Sequence, residues 1–213
     1  MNEENIFIFT IEVLGTIAFA ISGIRLAAAK SFDWFGAYIV GLVTAIGGGT
    51  LRDLLLGINV FWMQSPMYLA VTFISLVTVI VFRKVLVKGM RTLFLFDAIG
   101  LGLFVVVGIE KSFAAGFPAW VAITMGMITG SFGGITRDIL INDVPLFFRK
   151  DIYATACLAG GVAYWLVKFI PGLPAIVPQV CCAATVIGLR VLAVRFHWSL
   201  PILKVDPRDL PEE

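Results

Sequence analysis

From Met67 to Phe82 the chain reads MYLAVTFISLVTVIVF, without a Lys, Arg, Asp, Glu or His. Runs nearly as apolar lie around residues 5–24, 93–109, 117–136, 152–167 and 176–189. Each approaches the roughly 17–25 residues that an α-helix needs to cross about 30 Å of hydrocarbon. With the segment from about 33 to 57 they predict seven spans, at roughly 5–25, 33–57, 66–83, 91–110, 117–142, 151–169 and 175–195. A bilayer offers no water to unpaired backbone groups, and these runs lack the alternation of barrel strands, so the expected fold is an all-α helical bundle. Composition closes off the soluble alternative: 60% of residues are hydrophobic and 14% charged, against about 25% charged in a soluble domain.

The spans leave no room for a second domain, so residues 1–213 read as one transmembrane domain. The start, MNEENIFIF, has no basic n-region or cleavage-like site, and the first span is expected to be retained. If the spans alternate across the membrane, one side holds Arg52, Lys111 and Lys168. The other holds the remaining Lys and Arg of the 16 present, including Arg83, Lys84, Lys88, Arg91, Arg149, Lys150, Arg190, Arg195, Lys204 and Arg208. The positive-inside rule then predicts an outer N-terminus and a cytoplasmic C-terminus in a plasma membrane. This asymmetry accounts for the net charge of +2, which gives no argument for nucleic-acid binding.

The chain also repeats itself. GGGTLRDLLLG at 47–57 returns as FGGITRDILIN at 132–142, and at the same offset of 85 residues Gly15 matches Gly100, Phe19 Phe104, Gly23 Gly108, Gly41 Gly126, Thr44 Thr129 and Tyr68 Tyr153. Glu12 falls on Asp97, which keeps the negative charge. Matches of glycines and charges at one offset argue for duplication. The unit contains three spans, an odd number, so the second copy is expected to enter from the opposite side. Repeat 1 (about 5–85) and repeat 2 (about 90–170) are then inverted, with a seventh helix (about 175–195) and a tail (196–213) outside the symmetry.

Gly47, Gly48, Gly49, Gly133 and Gly134 lie more than halfway along spans 2 and 5. Consecutive glycines weaken a helix by roughly 1 kcal/mol each, which predicts a break or kink whose freed backbone groups line an ion path. Thr50 and Asp53 have capping-box spacing and would restart the helix. Isolated glycines such as Gly15, Gly23, Gly160 and Gly161 read instead as close-packing positions.

Arg52 and Asp53 are consecutive, as are Arg137 and Asp138. On a helix such neighbours point about 100° apart and are expected to pair poorly. Depth in the bundle suggests the pairs Glu12 with Arg52 and Asp97 with Arg137. Asp53 and Asp138 would then face an aqueous path and attract cations, and all four motif charges are pore or gating candidates.

Cys157, Cys181 and Cys182 have no metal-ligand spacing and read as buried small residues. His197, beside Trp198, reads as an interfacial anchor. There is no nucleophile with a His base, P-loop, HExxH, CxxC or haem-ligand pair. The chain is therefore not expected to be an enzyme or to hold a cofactor, and transport without an ATP site would be passive or driven by an ion gradient.

GGGTLRD and GGITRD, each on the second span of a three-helix inverted repeat followed by a seventh helix, resemble the prokaryotic trimeric intracellular cation (TRIC) channels. Bacterial proteins described as glycine transporters fall in the same broad family. The resemblance covers residues 5–195 and implies a homotrimer among membrane lipids. It further implies one pore per protomer, kinked at the glycines of spans 2 and 5 and passing monovalent cations, chiefly K⁺. Animal TRIC channels carry a basic residue within the fourth span, linked to voltage sensing, whereas residues 92–109 contain no Lys or Arg. The alternative that inverted repeats and broken helices also fit is a carrier for glycine or another small amino acid.

Overall fold

The computed structural model describes residues 3–86 and 90–201. Seven long helices follow one another: α1 (Glu3–Ala29), α2 (Trp34–Leu56), α3 (Met67–Val81), α4 (Met90–Ala114), α5 (Ala119–Leu140), α6 (Ala154–Lys168) and α7 (Ile176–Arg195). A helical turn at Arg83–Leu86 follows α3. Five of the seven are long and apolar enough to cross a membrane, whereas α3 and α6 have 15 residues each. At 1.5 Å per residue these two span about 22 Å, less than the expected ranges allow. Short 3₁₀ turns at Phe61–Gln64 and Leu146–Phe148 precede them. Of the basic residues used for orientation, Lys88, Lys204 and Arg208 lie outside the described residues, as do the side chains of Lys84 and Arg91.

The duplication is visible in the backbone. Asp33 caps α2 by accepting a 2.7 Å hydrogen bond from the Gly36 amide, and α2 ends where Gly57 turns left-handed at φ 68°. Eighty-five residues on, α5 ends with Asn142 at φ 59°. In both turns the next amide returns to the motif aspartate's carbonyl, Ile58 to Asp53 at 3.0 Å and Asp143 to Asp138 at 2.8 Å. Ser31 and Gly116, also equivalent under the offset, both have positive φ. Glycine and asparagine accept this backbone region most readily, so the matched turns are sequence-encoded.

Helices α1, α2, α4 and α5 form the centre; α3 packs on α1 and α2, while α6 and α7 pack on one another and on α4 and α5. Leu101, Val105, Val106, Val107 and Ile109 bury the middle of α4. Phe19 and Phe104 stack at 5.3 Å between ring centroids. They are counterparts under the offset, and a residue that touches its own counterpart lies on the axis relating two equivalent halves. Glycine makes room for both rings, since a Cβ at Gly15 would meet Phe104 and one at Gly100 would meet Phe19.

Candidate functional site: two buried charge clusters

The glycine clusters do not break their helices, because α2 runs unbroken from Trp34 to Leu56 and α5 from Ala119 to Leu140. Gly47, Gly48, Gly49, Gly133 and Gly134 act instead through the side chains they lack. A Cβ at Gly48 would collide with the Thr129 carbonyl oxygen, and one at Gly133 with the Thr44 carbonyl oxygen. These contacts are reciprocal, since Thr44 and Thr129 are themselves counterparts. Gly49 leaves space for the Phe61 ring and Gly134 for the Tyr153 hydroxyl, while Gly47 faces the Gly133 Cα at 3.8 Å from its built Cβ position. Glycine's intrinsic helix penalty of roughly 1 kcal/mol is offset where a neighbouring helix backbone takes the place of the side chain. The expected helix restart at Thr50 and Asp53 is likewise absent. The Thr50 hydroxyl donates back to the Ile46 carbonyl at 2.7 Å and accepts from Trp62 Nε1 at 2.9 Å.

One turn beyond the glycines, each half buries an arginine and two acids. In the first cluster, Arg52 donates from Nε to Asp53 Oδ1 at 2.7 Å, and its Nη2 lies 2.7 Å from the same oxygen. Its Nη2 is 3.7 Å from Glu12 Oε1. In the second, Arg137 holds Asp138 Oδ1 at 2.9 Å through Nε and reaches Asp97 Oδ1 at 2.7 Å through Nη1. The consecutive Arg and Asp side chains therefore pair, contrary to the angular expectation. The long arginine stem spans the angle between neighbouring positions, and full burial of both Arg52 and Asp53, each 0% exposed, makes charge compensation decisive.

Asp53 and Asp138 are turned into the protein interior. Their second oxygens accept loop amides, from Phe61 at 2.8 Å and from Leu146 at 3.1 Å, so each aspartate ties its arginine to the 3₁₀ turn that follows. Both are buried. Phe61 and Leu146 are again counterparts, which makes the arrangement one device used twice.

Each cluster recruits a second cation that the motif does not contain. Lys111 places Nζ 2.7 Å from Glu12 Oε1, while Tyr68 donates to Oε2 at 3.0 Å. Arg190, on α7, lies 3.7 Å from Asp97 Oδ2, donates to the Ile152 carbonyl at 3.2 Å and stacks over Tyr153 and Phe94. Ser22 accepts from Arg137 Nη1 at 2.7 Å. Tyr68 and Tyr153 could have been found, because both are repeated. Ser22, Lys111 and Arg190 have no like-for-like counterpart and gave no signal. Within the clusters Arg52 Nη1, Asp97 Oδ2, Tyr153 Oη and Arg190 Nε are buried without a hydrogen-bond partner.

The cysteines are free, with Cys157 and Cys182 buried. His197 is exposed beside Trp198, whose ring stacks on Phe196 at 6.0 Å. Among the described residues no His, Cys, Asp and Glu side chains group as a metal site.

A family model described as Glycine transporter matches residues 9–84 and 94–168, one segment for each half. The inner membrane protein YadS of Escherichia coli strain K12 is 36% identical over 201 residues, covering 93% of this chain and 97% of its own. The solved TRIC trimeric intracellular cation channel orthologue from Rhodobacter sphaeroides superposes with a TM-score of 0.84 at 34% identity, over 90% of this chain and 98% of that one. A prokaryotic TRIC channel solved in 0.5 M KCl gives 0.83 at 29% identity, over 91% and 98%.

Proposed function

Because the chain belongs to the prokaryotic TRIC family and is a multi-pass protein of the bacterial inner membrane, we propose that it is a passive channel for monovalent cations, chiefly potassium. Its functional unit is a homotrimer in lipid, with a separate pore in each protomer passing α2 and α5. The halves are inverted repeats, with the N-terminus outside and the C-terminus cytoplasmic. The three-helix repeat unit and the reciprocal contacts of Gly48 and Gly133 support the inversion, and the distribution of Lys and Arg supports the orientation.

One observation carries the reading: buried hydrogen-bonding capacity is left over in both clusters, at Arg52 Nη1 in one half and at Asp97 Oδ2 and Tyr153 Oη in the other. A pair of purely structural clamps would satisfy these groups with protein. Left open, they call for water inside the membrane, and hydrated charge sites in series are what a cation path needs. A carrier built on inverted repeats places its substrate between discontinuous helices at the midplane. Here the midplane contact of α2 with α5 is continuous helix packed through glycine, which favours the channel.

The test is single-channel recording of purified protein in planar bilayers under a KCl gradient. Discrete openings that reverse near the K⁺ potential and ignore added glycine are expected. Silence in that assay, with saturable glycine uptake in liposomes, would replace the channel by the carrier. Cross-linking in native membrane is expected to stop at a trimer.

A further inference from the structure

A cavity of about 730 Å³ opens at the end of the bundle where α1 and α7 begin and α4 and α6 end, and its wall carries Glu12, Glu110, Lys111 and Lys168. Glu12 is already compensated, by Lys111 at 2.7 Å and Arg52 at 3.7 Å. Glu110 is held differently. Its Oε1 accepts from the Tyr164 hydroxyl and from Gln179 Nε2, both at 2.7 Å, and no Lys or Arg among the described residues forms an ion pair with it. Neutral donors fix this carboxylate in place, and Lys168, on the same wall, sits over the Phe113 and Tyr164 rings rather than on Glu110. A fixed charge in a cleft with low-dielectric walls concentrates counter-ions there.

The position has a counterpart. Under the offset of 85 residues Glu110 falls on Arg25, a buried cation on α1. The two halves, so alike in their motifs, carry opposite charges at this equivalent pair of sites. We infer that this cavity, which meets α2 through the contact of Glu12 with Arg52, is one mouth of the path, and that Glu110 draws cations into it and makes unitary currents rectify. The inference rests on the cation-channel reading proposed above.

The test is the ratio of unitary currents at equal positive and negative voltages in symmetric KCl, which needs no knowledge of how each channel inserted. In wild-type protein the ratio is expected to depart from one at 0.1 M salt and to approach it at 1 M, as the screening length falls from about 10 Å to about 3 Å. E110Q keeps an acceptor for Tyr164 and Gln179 while removing the charge, and is expected to lower the larger current about twofold at 0.1 M with little change at 1 M. E110D is expected to restore the wild-type ratio. Lys168, whose Nζ sits 3.7 Å from the centre of the Phe113 ring on the same wall, supplies the opposite control: K168Q is expected to raise the larger current. A wild-type ratio in E110Q, or an equal loss in both directions that E110D does not rescue, overturns the assignment and leaves the channel reading standing. Absence of unitary currents in every variant overturns the channel reading, and the assignment with it.

Discussion

The motif arginine is held tightly in the second charge cluster and loosely in the first. Arg137 meets Asp97 at 2.7 Å and Ser22 at 2.7 Å, and Arg190, only 3% exposed, closes the far side. Arg52 stands 3.7 Å from Glu12, its Nη1 has no hydrogen-bond partner, and the extra cation is Lys111, 24% exposed on the wall of the cavity. Three differences between the halves account for this. Glu12 replaces Asp97, Val107 stands where the offset places Ser22, and the second cation comes from α4 in one case and α7 in the other. One inherited device has thus become a locked end and an adjustable end. Lysine suits the adjustable end, being a flexible point charge, and arginine, a planar donor that stacks, suits the locked one.

The sharpest way to break this comparison is to remove the arginines one at a time. R137M strands Asp138 and leaves Asp97 only Arg190 at 3.7 Å, whereas R52M strands Asp53 but leaves Glu12 its 2.7 Å contact with Lys111. Removing one partner of a buried pair costs about 3–5 kcal/mol, and R137M is expected to reach that range while R52M falls short of it. Thermal unfolding of the purified variants in detergent would read the order. Equal losses would mean that the clusters are energetically alike and that the distances mislead.

A smaller effect tests what the halves share. G48A and G133A each push a methyl group against the other half's threonine carbonyl, and overpacking of this kind costs about 1–3 kcal/mol. Because the contacts are reciprocal, the two variants are expected to lose similar stability by the same measurement, and G47A, with no contact under 3.8 Å, much less. A large difference between G48A and G133A would mean that the halves have diverged at their centre as well as in their charges.

How far the sequence could be read follows the same division. Seven helices, the duplication and the buried arginines were legible because they rest on long apolar runs and on residues that recur. The glycines were seen but misread, since helix propensity is a local quantity and the carbonyl facing Gly48 comes from Thr129, on another helix. The pairing of Arg52 with Asp53 was discounted on angle alone, although the arginine stem can bend to its neighbour. Ser22, Glu110 and Lys111 were invisible for a deeper reason. Their counterparts are Val107, Arg25 and Leu26, so a reading built on matches passes over the positions where the halves differ. Arg190 lies on the helix outside the repeat altogether.

Those mismatches also supply the finest test. If the looseness of the first cluster comes from the lost hydroxyl, V107S should return to Arg52 the acceptor that Ser22 gives Arg137. A hydrogen bond to a charged group contributes about 1.5–3 kcal/mol where it forms fully, and loss of the buried Val107 methyl contacts takes back part of it. The net gain in stability is therefore expected to be small, about 1 kcal/mol or less. The reverse change, S22V, removes the acceptor without a compensating contact and is expected to destabilise by about 1–3 kcal/mol. Gating gives the more sensitive readout. With the adjustable end tightened, V107S is expected to lower open probability without changing unitary current, because the hydroxyl binds the arginine and adds no charge to the path. A lowered unitary current would instead put the hydroxyl itself in the route of the ion, and the first cluster would then be a constriction rather than a latch.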